Sequence, residues 1–140
     1  MYEQYIEDGI VRFGYFHFAF LEPESQYAGE ASECAAEQNA FWEYHDYLFE
    51  VLSGPNRVDF SKENLKQFAA DMGLDSQTFD ECIDSGKYSG TVQGESNAAR
   101  QIGVQSTPTF LINGQALIGA QPFEVFEQII EEQLANNSQD

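Results

Sequence analysis

From Ile10 to Phe20 apolar and aromatic residues crowd the chain on both sides of a two-residue period. Val11, Phe13 and Tyr15 face one way, and Ile10, Phe16 and Phe18 the other, which predicts a strand covered on both faces, as in an α/β sheet. Ahead of it, Tyr2 to Asp8 reads as the end of a helix stopped by Gly9. After Pro23 the period becomes helical, with Tyr27, Ala31, Cys34 and Gln38 on one stripe. The small residues Ala28, Gly29, Ala31, Ala35 and Ala36 suit the close approach of a neighbouring helix. A second helix carries Phe41, His45, Leu48, Phe49 and Leu52 at helical spacing, which puts His45 on a buried stripe.

Ser53-Gly54-Pro55-Asn56 is a loop by composition. Ser61 is suited to cap a third helix, whose face is Leu65, Phe68, Ala69 and Met72 and which Gly73 closes. A short helix from about Ser76 turns Phe79, Cys82 and Ile83 inward and ends at Gly86; a more polar one runs from Ser89 to Ile102. Past Gly103, Pro108 opens a run of β-formers that ends in Asn113-Gly114, a strong hairpin signal. Proline has no N–H for a ladder, so Pro108 belongs at a strand entrance, and its ring pushes Thr107 toward extended geometry. The last helix starts with Pro122 in its first turn and buries Phe123, Phe126, Ile130 and Leu134, while residues after Ala135 are expected to fray.

The order is strand, a block of helices, a hairpin and a helix, with no internal repeat. A length of 140 residues allows one domain, and 42% apolar with 14% aromatic residues argues for a folded globule. No run of about 18 apolar residues is present to span a membrane, and the N-terminal residues lack the pattern of a signal peptide. Six basic against twenty-four acidic side chains give a net charge of −18, which argues against nucleic acid as a partner. Two readings of that charge stay open, a solvated acidic surface and an adaptation to high salt.

Candidate chemistry is sparse. Two separated histidines and two separated cysteines give no metal-ligand spacing, so no metal and no cofactor is expected. His17 reads as a satisfied histidine at a strand end, and His45 as a structural one. Gly90 and Gly94 lie in a polar helix and form no phosphate-cradling loop. There is no Cys-x-x-Cys; Cys34 and Cys82 each sit on the inward face of a helix and each follows a glutamate, which disfavours a thiolate nucleophile. A bridge between them and two buried free thiols both fit this placement.

The run from Val104 to Gly114, with Leu117-Ile118-Gly119-Ala120-Gln121-Pro122-Phe123 after it, resembles the cis-proline loop, hairpin and last helix of DsbA-like thiol–disulfide oxidoreductases, members of the thioredoxin superfamily. Glu33-Cys34-Ala35-Ala36-Glu37-Gln38 and Phe41-Trp42-Glu43-Tyr44-His45-Asp46 extend the resemblance over nearly the whole chain. It implies an α/β, thioredoxin-like single domain with a helical insertion at about 24–102, a hairpin and helix at 104–135, and the N-terminal βα unit missing. That unit supplies the family's catalytic Cys-x-x-Cys and the central strand between Ile10–Phe20 and Thr109–Ile112. The resemblance therefore leaves a gap in the sheet, whether the chain is a fragment, borrows a strand or is a remnant.

The same resemblance implies a cis Thr107–Pro108 bond, with the substrate peptide held at Thr107 and Pro108, and a structural disulfide between Cys34 and Cys82. It assigns no catalytic residue to this chain. Its partners would be extended or unfolded polypeptides, with the redox partner left open, in an extracytoplasmic setting. The function implied is the C-terminal part of a protein thiol–disulfide oxidoreductase; the alternative is a non-catalytic peptide-binding module. Ile118-Gly119-Ala120-Gln121-Pro122 after the hairpin, in place of the Trp-Gly-x-Asp-Arg usual in the superfamily's glutathione-dependent enzymes, favours the disulfide branch.

Overall fold

The computed structural model describes residues 2–21, 23–54 and 58–137. Contacts divide the chain into two compact units, Phe16–Ala99 and, together, Met1–Tyr15 with Arg100–Asp140.

The first unit is helical: α1 (Glu24–Ala36), α2 (Phe41–Ser53), α3 (Lys62–Asp71), α4 (Ser76–Ser85) and all but the last two residues of α5 (Ser89–Gln101). The helix ends follow from local chemistry. The Ser61 hydroxyl accepts the Asn64 N–H at 3.4 Å and the Asp75 carboxylate accepts that of Thr78 at 2.8 Å, each satisfying a first-turn donor that has no partner inside its helix. Gly86 closes α4 at φ 65°, where a side chain would be strained. Helix α1 packs against α2, α3 and α4, and α3 against α4. Between them lie Ala31, Ala35, Tyr44, Leu65, Phe79 and Ile83, all fully buried. The Tyr44 hydroxyl donates to the Leu65 carbonyl at 2.8 Å, and burial, reinforced by Tyr47, raises its pKa well above the ordinary tyrosine value.

Helix α2 departs from its expected orientation. Tyr44 and Leu48 face the core, with Tyr47 and Val51 packed beside them, whereas Phe49 and Leu52 are exposed and His45 is only partly buried. Apolar residues occupy more than half of this helix's circumference, and the tyrosine whose hydroxyl finds a carbonyl takes the inner side. Ser53 is the last residue of α2, and residues 55–57 of the expected loop lie outside the described residues.

The second unit contains a π-helical turn (Tyr2–Ile6), the hairpin β1 (Thr109–Ile112) and β2 (Gln115–Ile118), and α6 (Phe123–Asn137). Asn113 and Gly114 connect the strands at φ 48° and 88°, the two left-handed residues that match the twist of a two-residue hairpin. The register pairs Thr109 with Ile118 and Ile112 with Gln115. Phe110 meets Phe126 of α6 edge to face at 4.8 Å, so one face of the hairpin rests on α6. Tyr5, buried, donates its hydroxyl to Glu131 at 2.8 Å, and that bond, with burial, pushes its pKa up to about 12. Helix α6 begins one residue after Pro122 and runs past Ala135 to Asn137.

The expected strand at Ile10–Phe20 is absent: among the described residues the sheet has two strands, β1 and β2. A ladder needs a neighbour, and the backbone here finds other partners. The N–H groups of Ile10 and Val11 both go to the Tyr5 carbonyl at 2.9 Å. In the helical unit the His17 N–H goes to the Glu95 carboxylate at 2.7 Å and the Ala19 N–H to the Ser96 hydroxyl at 2.9 Å. Side chains of α5 thus stand where a neighbouring strand would. Nor is the stretch covered on both faces, since Phe13, Tyr15, Phe16 and Phe20 are exposed.

Candidate functional site

Helix α5 runs out into a turn at Gly103, φ +90°, and the chain passes through Gln105, Ser106 and Thr107, all exposed, to Pro108. The Thr107–Pro108 bond is cis. Two bonds fix this loop to the hairpin: the Thr109 hydroxyl donates to the Ser106 carbonyl at 2.7 Å, and the Gly119 N–H donates to the Pro108 carbonyl at 2.8 Å. The loop is held at both strands while Thr107 stays open to solvent.

Alternation along the hairpin divides its side chains. Phe110 turns to α6, and the residues of opposite parity, Thr109 and Leu111 with their partners Ile118 and Ala116, share the other face. That face lines a hollow of about 300 Å³ together with Ile102, Gly103, Val104, Gln105 and Ser106. Leu111 is 55% exposed and Ile118 63%, large values for apolar residues on a sheet. No strand lies along the outer edge of β1 among the described residues. An open strand edge beside an apolar hollow can take a further strand, the ladder groups binding its backbone and the hollow its side chains.

Sequence reasoning picks out Thr107 and Pro108 here but not Leu111, Ala116 and Ile118 beside them. A signal was present: Gln101 to Phe123 is a run of 23 residues without a charge, in a chain whose next longest uncharged run, Phe13 to Leu21, has nine.

The cysteines belong to the helical unit. Cys34 of α1 and Cys82 of α4 form a disulfide, S–S 2.07 Å and Cα–Cα 5.9 Å, and are 1% and 6% exposed. Neither offers a thiolate. His17 is buried with Nε2 at 2.8 Å from a Glu33 carboxylate oxygen, a satisfied histidine. His45 places Nδ1 at 2.9 Å from Asp46 and its ring against Trp42 and Phe49. Among the described residues no group of three or more His, Cys, Asp or Glu is arranged to hold a metal ion, and no helix is long and apolar enough to cross a membrane.

A family model described as Thioredoxin matches residues 1–132. Disulfide bond formation protein D of Bacillus subtilis is 23% identical over 135 residues, which make up 94% of this chain and 61% of that protein. The Na(+)/H(+) antiporter NhaA 3 of Salinispora tropica is 34% identical over 107 residues, 75% of this chain; the chain spans only 16% of the antiporter's length. Among solved structures, oxidised BdbD from Bacillus subtilis superposes with a TM-score of 0.83 at 23% identity, covering 96% of this chain and 74% of that one. The thiol–disulfide exchange protein alpha-DsbA2 from Wolbachia pipientis gives 0.77 at 19% identity, covering 94% and 70%. With its hairpin, its helical block and a family match over almost its full length, the chain belongs to the thioredoxin family and shares the fold of BdbD.

Proposed function

We propose that this chain is the substrate-holding part of a DsbA-like protein thiol–disulfide oxidoreductase, with an extended polypeptide bound at Thr107–Pro108. The observation that carries this reading is the exposed loop at Thr107, tied to the hairpin through the Ser106 and Pro108 carbonyls. Backbone groups of the peptide pair with those of Thr107. Unfolded or extended polypeptides, in an extracytoplasmic setting, are the partners this surface would serve.

To oxidise a reduced substrate, an accessible enzyme disulfide is attacked by a substrate thiolate with release of one enzyme thiol, and a second substrate thiolate then breaks the mixed disulfide, leaving the enzyme pair reduced. Cys34 and Cys82 are bonded to each other and buried, so in this reading the reactive pair comes from outside these 140 residues. The absence of Cys-x-x-Cys also favours a second reading, a peptide-binding module with no redox chemistry.

Two measurements test the proposal. In oxidative refolding of a reduced, unfolded substrate with glutathione disulfide as the oxidant, this chain should give no turnover, whereas the chain extended upstream by the family's Cys-x-x-Cys segment should. Equal turnover by both would make Cys34 or Cys82 catalytic and overturn the assignment; no turnover from the extended chain would leave the non-catalytic module. By fluorescence anisotropy, an extended uncharged peptide should bind. Thr107→Pro, which removes the backbone N–H offered to the peptide, should weaken it about tenfold or more.

A further inference from the structure

We propose that Tyr5 is a positioning residue for disulfide exchange: its hydroxyl bond to Glu131 fixes the segment that carries the reactive pair to the same helix that supports the substrate loop. This rests on the proposed function, in which that pair lies upstream of the Tyr2–Ile6 turn, and adds to it a residue that sets where the pair stands.

Tyr5 is a junction. Its carbonyl accepts the N–H groups of Ile10 and Val11, both at 2.9 Å, which ties the π-helical turn to the chain that follows. Its ring is 5% exposed, and its hydroxyl donates to Glu131 Oε1 of α6 at 2.8 Å. Glu127, one turn earlier on the same face of α6, also bears on that hydroxyl. A hydroxyl that donates to a carboxylate makes a stronger bond than one between neutral groups. Phenylalanine would bury the same ring, so the hydroxyl adds attachment rather than packing.

The other end of the link is the substrate loop. Phe126 stands about 7.5 Å before Glu131 along α6 and meets Phe110 of β1 edge to face at 4.8 Å. Phe110 follows Thr109, whose hydroxyl holds the Ser106 carbonyl at 2.7 Å across Thr107 and Pro108. All these residues belong to one compact unit. Helix α6 is thus a bar to which the N-terminal turn and the hairpin bearing Thr107 are each fastened. In exchange, a thiolate of the held substrate must reach a sulfur of the pair, and a misplacement of about 1 Å caused far from the chemistry can cost about 100-fold in rate. Without the Tyr5 bond the turn rests on α6 by packing alone. The loss then falls on the chemical step, while Thr107 holds the peptide as before.

The test uses the chain extended upstream by the family's Cys-x-x-Cys segment, oxidised beforehand, and an extended peptide with two thiols. In a single turnover the peptide thiols become a disulfide and the pair becomes two thiols. Tyr5→Phe should lower the rate at saturating peptide about tenfold and leave the half-saturating concentration unchanged. A small alkylating reagent, which needs no peptide site, should modify the reduced pair at the parent's rate. Glu131→Ala added to Tyr5→Phe should cost nothing further, because the bond is already gone. Parent kinetics in Tyr5→Phe would overturn the positioning role and leave the proposed function standing. A rate loss matched by altered alkylation or by weaker peptide binding would also overturn it, because Tyr5 would then serve only the stability of the fold. No oxidation of the peptide by the extended parent would overturn this proposal together with the catalytic reading beneath it.

Discussion

Gly29 of α1 and Val92 of α5 approach so closely that a Cβ on Gly29 would lie 3.0 Å from one Val92 methyl and 3.2 Å from the other, with His17 Nδ1 also at 3.2 Å. The neighbours cannot easily give way, since Val92 is fully buried and His17 is tied to Glu33. Gly29→Ala gains about 1 kcal/mol of helix propensity, but overpacking costs about 1–3 kcal/mol. The substitution should therefore destabilise the protein, as read by urea denaturation. Val92→Ala should remove much of that cost in the double variant, and additive effects would show that the contact is not the cause.

The disulfide between Cys34 and Cys82 closes a separation of 48 residues. Replacing both cysteines by alanine should cost ~4 kcal/mol in the chain-entropy model. Thiol titration of the denatured, unreduced protein should find no free sulfhydryl; two reactive thiols would contradict the bridge.

Asp75 accepts the Thr78 N–H at the start of α4, and hydrogen bonding from the Thr78 side chain, then from that N–H, holds its pKa below the ordinary carboxylate value. A depressed folded-state pKa adds stability that is complete above the unfolded value, about 4, and is lost as pH falls through the folded one. Asp75→Ala should therefore be less stable than the parent at pH 6, with the gap shrinking as pH drops below about 4. A gap that stays constant across this range would mean that the cap contributes nothing through its charge.

A net charge of −18 repels itself. Thermal unfolding should shift upward as salt rises from about 0.05 to 1 M, because added ions shorten the range of that repulsion. The size of the shift separates the two readings of the acidic surface. A protein already folded at the low end has a solvated acidic coat, whereas one that folds only near the high end is adapted to salt.

The helix ends were legible because their causes are local: Ser61 and Asn64 are three residues apart, and Gly86 follows the turn it closes. Asn113-Gly114 was legible for the same reason. Residues 10–20 look like a strand and are not one, because β-propensity describes a surface fit for a ladder and says nothing of whether a partner strand is there. What holds His17 and Ala19 instead is Glu95 and Ser96, about 78 positions away, and no short-range pattern reports such a pairing. The inner face of α2 was not legible because Tyr44 and Phe49 are both apolar candidates and only the third dimension chooses between them. At the candidate site the proline loop was legible as a motif, while the hollow beside it depended on hairpin register, which brings Leu111 opposite Ala116.

The bond between Cys34 and Cys82 also changes what a cut in the chain means. It joins α1 to α4, so α2, α3 and the link between them lie inside one covalent ring. A single proteolytic cleavage between α2 and α3 opens the ring without releasing either piece. The nicked protein should run as one species on a non-reducing gel and as two after a reductant is added. For the helical unit, backbone continuity and molecular integrity are separate properties.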